Sequence, residues 1–184
     1  MEKKFELTDN FVINALGIKL FQIKCTKAFK YANEGDLGGY VEKEENLSQS
    51  GNAWVSGNAW VSGDAQVYGN AQVSGNARVS GYAQVYGNAR VSGNAQVSGD
   101  ARVYGDAWVE NDHMHCGFDC FGSCNRHTHA YMTNENKVEI RCGCFRGNIE
   151  EFERKVKETH AGTIYEKQYK AIINLIKIKF GIDG

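Results

Sequence analysis

The chain contains no proline in 184 residues, so no turn is made by a locked φ and turn-making falls to Gly, Asn and Asp. No apolar run approaches the roughly 20 residues a membrane-spanning helix needs, and no membrane partner is expected. Neither sign of charge dominates. The 21 basic and 22 acidic residues leave no global field to draw in nucleic acid, so general nucleic-acid binding is not expected. After the lysines of MEKKFELTDN no apolar segment follows, so no signal peptide is read and a cytoplasmic location is expected. There the six cysteines would stay reduced. The chain also lacks a phosphate-cradling glycine loop, an HExxH pattern and a Gly-x-Ser-x-Gly elbow.

What is present is a repeat. Residues 50–109 read SGNAWV SGNAWV SGDAQV YGNAQV SGNARV SGYAQV YGNARV SGNAQV SGDARV YGDAWV, ten six-residue units without a gap. A strict short period with constant Gly, Ala and Val marks a parallel β-helix. Ala and Val lie two apart and share the inward face of a strand, while the residue between them and the residue after Val face outward. Gly followed by Asn or Asp makes the corner. The expected fold is therefore mainly β: a left-handed parallel β-helix of about 4–5 triangular coils, 18 residues each. Counting in sixes extends the register backward to Gly39-Tyr40-Val41 and Glu45-Asn46-Leu47, in the Gly-corner-Ala slots. Forward, it reaches Asn111-Asp112-His113 and Gly117-Phe118-Asp119.

Three segments result. Residues 1–38 read as a small N-terminal β cap, from KFELT and the alternating IKLFQIKC. Residues 39–112 are the hexapeptide helix. Residues 113–184 read as a C-terminal α+β module with a hairpin and two helices. In that module HAYMT and KVEIRCGCF flank the turn Asn134-Glu135-Asn136. Asn148 is the N-cap of a first helix, with Glu150 and Glu151 in its opening turn and His160-Ala161-Gly162 at its end. The stretch IYEKQYKAIINLIKIKF carries an apolar stripe at helical spacing.

The outward slots carry the candidate sites. Tyr68, Tyr86 and Tyr104 follow Val at intervals of 18 and so stack as a ladder on one side. Gln66, Gln84 and Arg102 stand beside them. A second side stacks Trp54, Gln72, Arg90 and Trp108, and a third Trp60, Arg78 and Gln96. Stacked aromatics can serve coil packing alone. Tyr, Trp and Arg are also the residues of interface cores, and on that reading Tyr68, Tyr86, Tyr104, Gln66, Gln84 and Arg102 form an oligomer or partner interface, to which the odd corner residue Tyr82 adds. Arg78, Arg90, Trp54, Trp60 and Trp108 are candidates for holding a small anionic ligand.

The densest chemistry is HMHCGFDCFGSCNRHTH. Cys116, Cys120, Cys124, Cys142, Cys144 and His160 are the metal candidates, for a structural zinc. The competing reading is ordinary packing of reduced cysteines, with no cofactor.

GDLGGYVEKEENLSQSGNAWVSGNA resembles the start of the β-helix in a family of bacterial and prophage hexapeptide-repeat proteins described as polymer-forming cytoskeletal-like. RCGCFRGNIEEFERKVKETH resembles a C-terminal module of phage-encoded members. The resemblance implies a left-handed β-helix and a phage or prophage origin, and it transfers no catalytic residue. The functional reading is a non-enzymatic, homo-oligomeric scaffold, a trimer, that binds a host protein and could inhibit host antiviral immunity. Two alternatives stand beside it. One is a sponge for a small anionic nucleotide signal held between subunits. The other is a hexapeptide acyltransferase, which is disfavoured because residues 50–109 contain no histidine and no interrupting loop.

Overall fold

A computed structural model describes residues 2–182. By its contacts the chain divides after Asn111 into two units. In the first, three strands, β1 (Phe5–Ile13), β2 (Lys19–Cys25) and β3 (Leu37–Val41), precede ten two-residue rungs, β4 to β13, from Trp54–Val55 to Trp108–Val109. Each rung pairs in parallel with the rung 18 residues on: Trp54 with Gln72, Gln72 with Arg90, Arg90 with Trp108. Two further stacks run Trp60-Arg78-Gln96 and Gln66-Gln84-Arg102. The result is a parallel β-solenoid of about four turns, as the longest stack has four rungs.

The residue choices follow from that geometry. Every Ala and Val of the ten units is buried, all but Ala101 and Ala107 completely, so the interior is a column of two small side-chain types. Backbone bonds join the coils, as in Trp54 N to Ala71 O at 3.0 Å and Ser56 N to Val73 O at 2.9 Å. At one corner the amides of Asn52, Asn70 and Asn88 pass hydrogen bonds to one another and to Asp106; at the next, Asn58, Asn76 and Asn94 do the same. The third corner carries Asp64, Tyr82 and Asp100 instead, and Lys43 pairs with Asp64 at 2.8 Å. Tyr82 stands in the coil between those of Asp64 and Asp100.

The N-terminal strands continue one face of the solenoid. β1, β2 and β3 are antiparallel, and β3 joins the stack beside the Trp60 rung, giving the order β1-β2-β3-β5-β8-β11. The register here differs from the count in sixes. Val41 pairs with Val61 and Leu47 with Val67, an offset of 20 rather than 18, so both occupy Val slots and not Ala slots. Two extra residues therefore lie between Leu47 and Val55. They belong to a segment that ties down the cap: Gln49 accepts from the backbone N–H of Lys4 and Phe5 and donates to Phe5 O. Buried Asn46 donates to Gly63 O and Ala65 O.

The second unit is a four-stranded antiparallel meander, β14 (His115–Phe121), β15 (Arg126–Met132), β16 (Val138–Cys142) and β17 (Phe145–Gly147), followed by α1 (Ile149–His160) and α2 (Ile164–Phe180). The expected hairpin is β15–β16, with Asn136 at positive φ in its turn. The forward count of hexapeptides fails here. Gly117 and Phe118 sit in β14, opposite His129 and Thr128, and not in a fifth coil. Asn148 caps α1 by accepting from Glu151 N, and Thr163 caps α2 by accepting from Glu166 N. Phe152 and Val156 of α1 and Tyr169, Ile172, Ile173 and Ile176 of α2 bury one sheet face with Ala130, Val138 and Ile140.

Two measurements test the first unit. Gly81 and Gly99 occupy the same corner one coil apart, both at positive φ. A Cβ on Gly81 would come 2.9 Å from Gly99 N, whereas one on Gly99 meets nothing within 4 Å. Gly99→Ala should cost about 1 kcal/mol, the backbone strain alone. Gly81→Ala should melt lower still, by roughly 2–4 °C for each further kcal/mol. Equal melting temperatures would mean that coil contact does not demand glycine. The second test concerns Lys4, which is buried, donates to Ala53 O at 2.8 Å and lies 5.1 Å from the centre of the Phe29 ring. Burial lowers its ammonium to about 8. Between that value and the usual 10.5 the unfolded chain binds the extra proton, so stability rises with pH across this window and is flat below it. Thermal melts should show that rise in the wild type, reduced in Lys4→Met; identical pH profiles would refute the assignment.

Candidate functional sites

The tyrosine ladder forms as the spacing predicts. The rings of Tyr68 and Tyr86 are 4.7 Å apart with planes at 4°, and those of Tyr86 and Tyr104 are 4.5 Å apart at 7°. The coil repeat imposes the separation, so three rings lie face to face without any side chain having to search for its partner. All three are half-buried. The Tyr68 hydroxyl approaches Gln84 Oε1 at 3.5 Å, and burial, with Tyr86 beside it, raises its pKa. Gln66, Gln84 and Arg102 form the adjoining stack. Together these six side chains make a continuous strip of aromatic rings edged by amides and one guanidinium. Tyr82 protrudes at its corner, 66% exposed.

The aromatic and basic residues of the other faces divide. Trp60 is half-buried, with the Arg78 guanidinium 5.8 Å from its ring centre. Trp108 and Arg90 are exposed at the end of their stack. Trp54 is not displayed: it is 5% exposed, and Phe29 meets it edge-on at 5.4 Å. Its neighbour Gly38 is required, since a Cβ there would come 2.8 Å from the indole. Trp54 therefore anchors the cap and is closed to a ligand. Arg78, Arg90 and Arg102 belong to three different stacks, so within one chain they do not converge on one anion.

Residues 71–83, 83–97 and 95–111 match the YdcK beta solenoid repeat. The likeness covers the middle and late coils, and it supports the parallel solenoid seen there. No curated protein matches the chain. The solenoid is thus similar to a known repeat, while the tyrosine ladder and the second unit rest on this chain's own geometry.

The Cys/His segment resolves into two opposite sheet faces. Cys116, Phe118 and Cys142 alternate onto the face that packs the helices. His115, His127 and His129 alternate onto the other, where His115 Nδ1 and His129 Nε2 are 3.1 Å apart and His127 Nδ1 meets Asp119 Oδ1 at 2.5 Å. The same face holds Tyr131, whose hydroxyl donates to Glu139; Glu139 also pairs with Arg141 at 3.2 Å and Arg146 at 3.0 Å. This hydrogen-bonded network was not among the candidates from sequence, although the alternation in HCGFD and RHTHAYM carried the signal. His127 Nε2 is buried without a hydrogen-bond partner, against Gly117.

Of the six metal candidates, Cys120, Cys124 and Cys144 are exposed and Cys116 and Cys142 half-buried. Gly143, at positive φ, turns the chain between Cys142 and Cys144. Cys124, Cys142 and His160 do line one cavity. Among the described residues no three His, Cys, Asp or Glu are arranged to hold a metal ion. Burial lifts the Cys116 thiol to about 11, so it is protonated at neutral pH. Tyr169, hydrogen-bonded to Cys142 at 3.6 Å, is raised by burial first and by that bond second. Elemental analysis of protein purified without chelator should find zinc well below one per chain, and chelator should leave the melting temperature unchanged. Stoichiometric zinc lost on Cys142→Ser would overturn this.

Proposed function

We propose that this chain is a non-enzymatic scaffold that self-associates through the strip bearing Tyr68, Tyr86 and Tyr104 and, once assembled, binds a host protein. The reading includes a left-handed, three-sided winding, in keeping with three stacks per 18-residue turn, and a side-by-side trimer of cytoplasmic location. It takes up the phage or prophage origin that the sequence resemblance implies, with counteraction of host immunity as the role.

The observation that carries it is the parallel stack of three half-buried tyrosine rings at 4.5–4.7 Å. A second copy of this chain offers side chains at the same pitch, so each contact made at one coil recurs at the next. Tyr places a large rigid surface in an interface at little entropic cost. The rings are already ordered by their neighbours, which reduces that cost further.

Two observations set the scaffold reading above the alternatives. Each of the stacks that hold Arg78, Arg90 and Arg102 carries one arginine, so no face of a subunit concentrates positive charge for a nucleotide. An acyltransferase would need a histidine base, and the solenoid rungs hold none.

Light scattering should give the mass of a trimer. The triple change Tyr68→Ser, Tyr86→Ser, Tyr104→Ser should keep the β circular dichroism, because Ser fills the equivalent slots of the other units, and should yield monomers. A monomeric wild type, or a triple variant of unchanged mass, would exclude this face as the contact.

A further inference from the structure

The second unit holds a cavity of about 250 Å³ between the β14–β15 turn and the C-terminal half of α1. Its floor is aromatic. Phe145 and Phe152 have ring centres 4.9 Å apart, and Tyr169 meets Phe152 edge-on at 5.6 Å. Its rim is basic, formed by Arg126, Lys155 and His160, and none of the lining residues is acidic. Glu158 pairs with Lys155 at 3.6 Å from outside the lining, so one carboxylate stands against three basic groups.

Of the basic groups His160 is held by packing, while Arg126 and Lys155 are exposed at the rim. Gly143 turns at φ 60°, and a Cβ there would collide with Arg126 Nη1, so this glycine makes room for the guanidinium. His160 lies stacked on Tyr169, with ring centres 5.5 Å apart and planes at 27°. The C-terminal carbonyls of α1 disfavour an anion, and the last of them, His160 O, is capped by Thr163 Oγ1 at 2.7 Å and Thr163 N at 3.0 Å.

An apolar floor of tilted rings under a basic rim suits a ligand that is aromatic at one end and anionic at the other. The volume lies below the roughly 300–1,000 Å³ typical of drug-sized ligands, which limits the ligand to about one ring with one charged group. We propose that this cavity binds a small aromatic oxyanion, its ring against Phe145 and Phe152 and its phosphate or carboxylate on Arg126, Lys155 and His160. The site is independent of the tyrosine ladder and of any assembly through it.

Calorimetric titration of the full chain with phenyl phosphate, benzoate and inorganic phosphate tests this. Phenyl phosphate should bind one per chain and more tightly than inorganic phosphate, which lacks the ring. Benzoate binding more tightly than phenyl phosphate would identify the anionic group as a carboxylate. Arg126→Gln and Lys155→Gln should each weaken phenyl phosphate about tenfold or more, the loss of one charge-assisted hydrogen bond. Lys170→Gln, whose lysine pairs with Glu166 on α2 away from the cavity, should leave affinity unchanged. Circular dichroism of each variant checks folding, and Lys155→Gln decides the matter if Arg126→Gln does not fold. No binding of any of the three probes, equal affinity for phenyl phosphate and inorganic phosphate, or equal loss in Lys170→Gln would overturn the proposal.

Discussion

The first unit depends on one constraint: every eighteenth residue must lie on the backbone below it closely enough to hydrogen-bond. Asn52 N reaches Gly69 O at 2.8 Å, Asn58 N reaches Gly75 O at 2.8 Å, and the series runs on through Asn70, Asn76 and Asn88. Those bonds pass through the corners, where a Cβ on one glycine would strike the glycine of the next coil. The interior is equally restrictive, since each turn closes around buried Ala and Val. Gly, Ala and Val are thus consumed by closing the coil. Only the second corner residue and the two outward slots beside Val are left for anything else.

Stacking then dictates what those free slots can hold, because each side chain meets its counterpart one coil away. Amides satisfy one another in the ladders through Asn70 and Asn76, and tyrosines lie face to face. Like charges placed directly opposite are destabilising, and the chain avoids them. Arg78 lies between Trp60 and Gln96, Arg90 between Gln72 and Trp108, and Arg102 next to Gln84. Asp64 and Asp100 lie two coils apart, with the uncharged Tyr82 in the coil between. The scatter of arginines over three faces therefore has a structural cause, and it weakens any reading in which they act as a group.

This explains what could be read from sequence. A period of six reveals the solenoid, its three stacks and the tyrosine ladder, because each is a statement about spacing. Capping chemistry at Asn148 marks where the first helix begins; the caps of the second, Thr163 and a left-handed Gly181, are seen in the structure. Spacing fails where the repeat loses its glycine. Between Leu47 and Val55 two residues are added, and counting in sixes passes over them. It also reports which way a side chain points but not what covers it, so Trp54 looks displayed until Phe29 arrives from a distant segment. In the second unit a period of two sends Cys116 and Cys142 to one sheet face and His115, His127 and His129 to the other, but it does not reach Cys120 in a bulge or Cys124 and Cys144 in turns. The basic cavity was illegible for a related reason: Arg126, Lys155 and His160 have no sequence pattern in common and meet only through the fold.

The contrast between the two units bears on where recognition can reside. A periodic face is nearly unchanged when a partner slides by one coil, so its contacts fix distance and orientation better than register. The ladder escapes this in one respect, because it is finite. With three tyrosines, a slip of one rung leaves two of three ring contacts in place and exposes a ring at each end. Register in an assembly built on Tyr68, Tyr86 and Tyr104 is therefore set by the ladder's ends, where Ser48 and the irregular segment after Leu47 begin one side and the last rung closes the other. Single-copy chemistry has no such ambiguity. The histidine network of β14 and β15 and the cavity beside α1 occur once per chain, so a ligand or partner that reads them can occupy only one position.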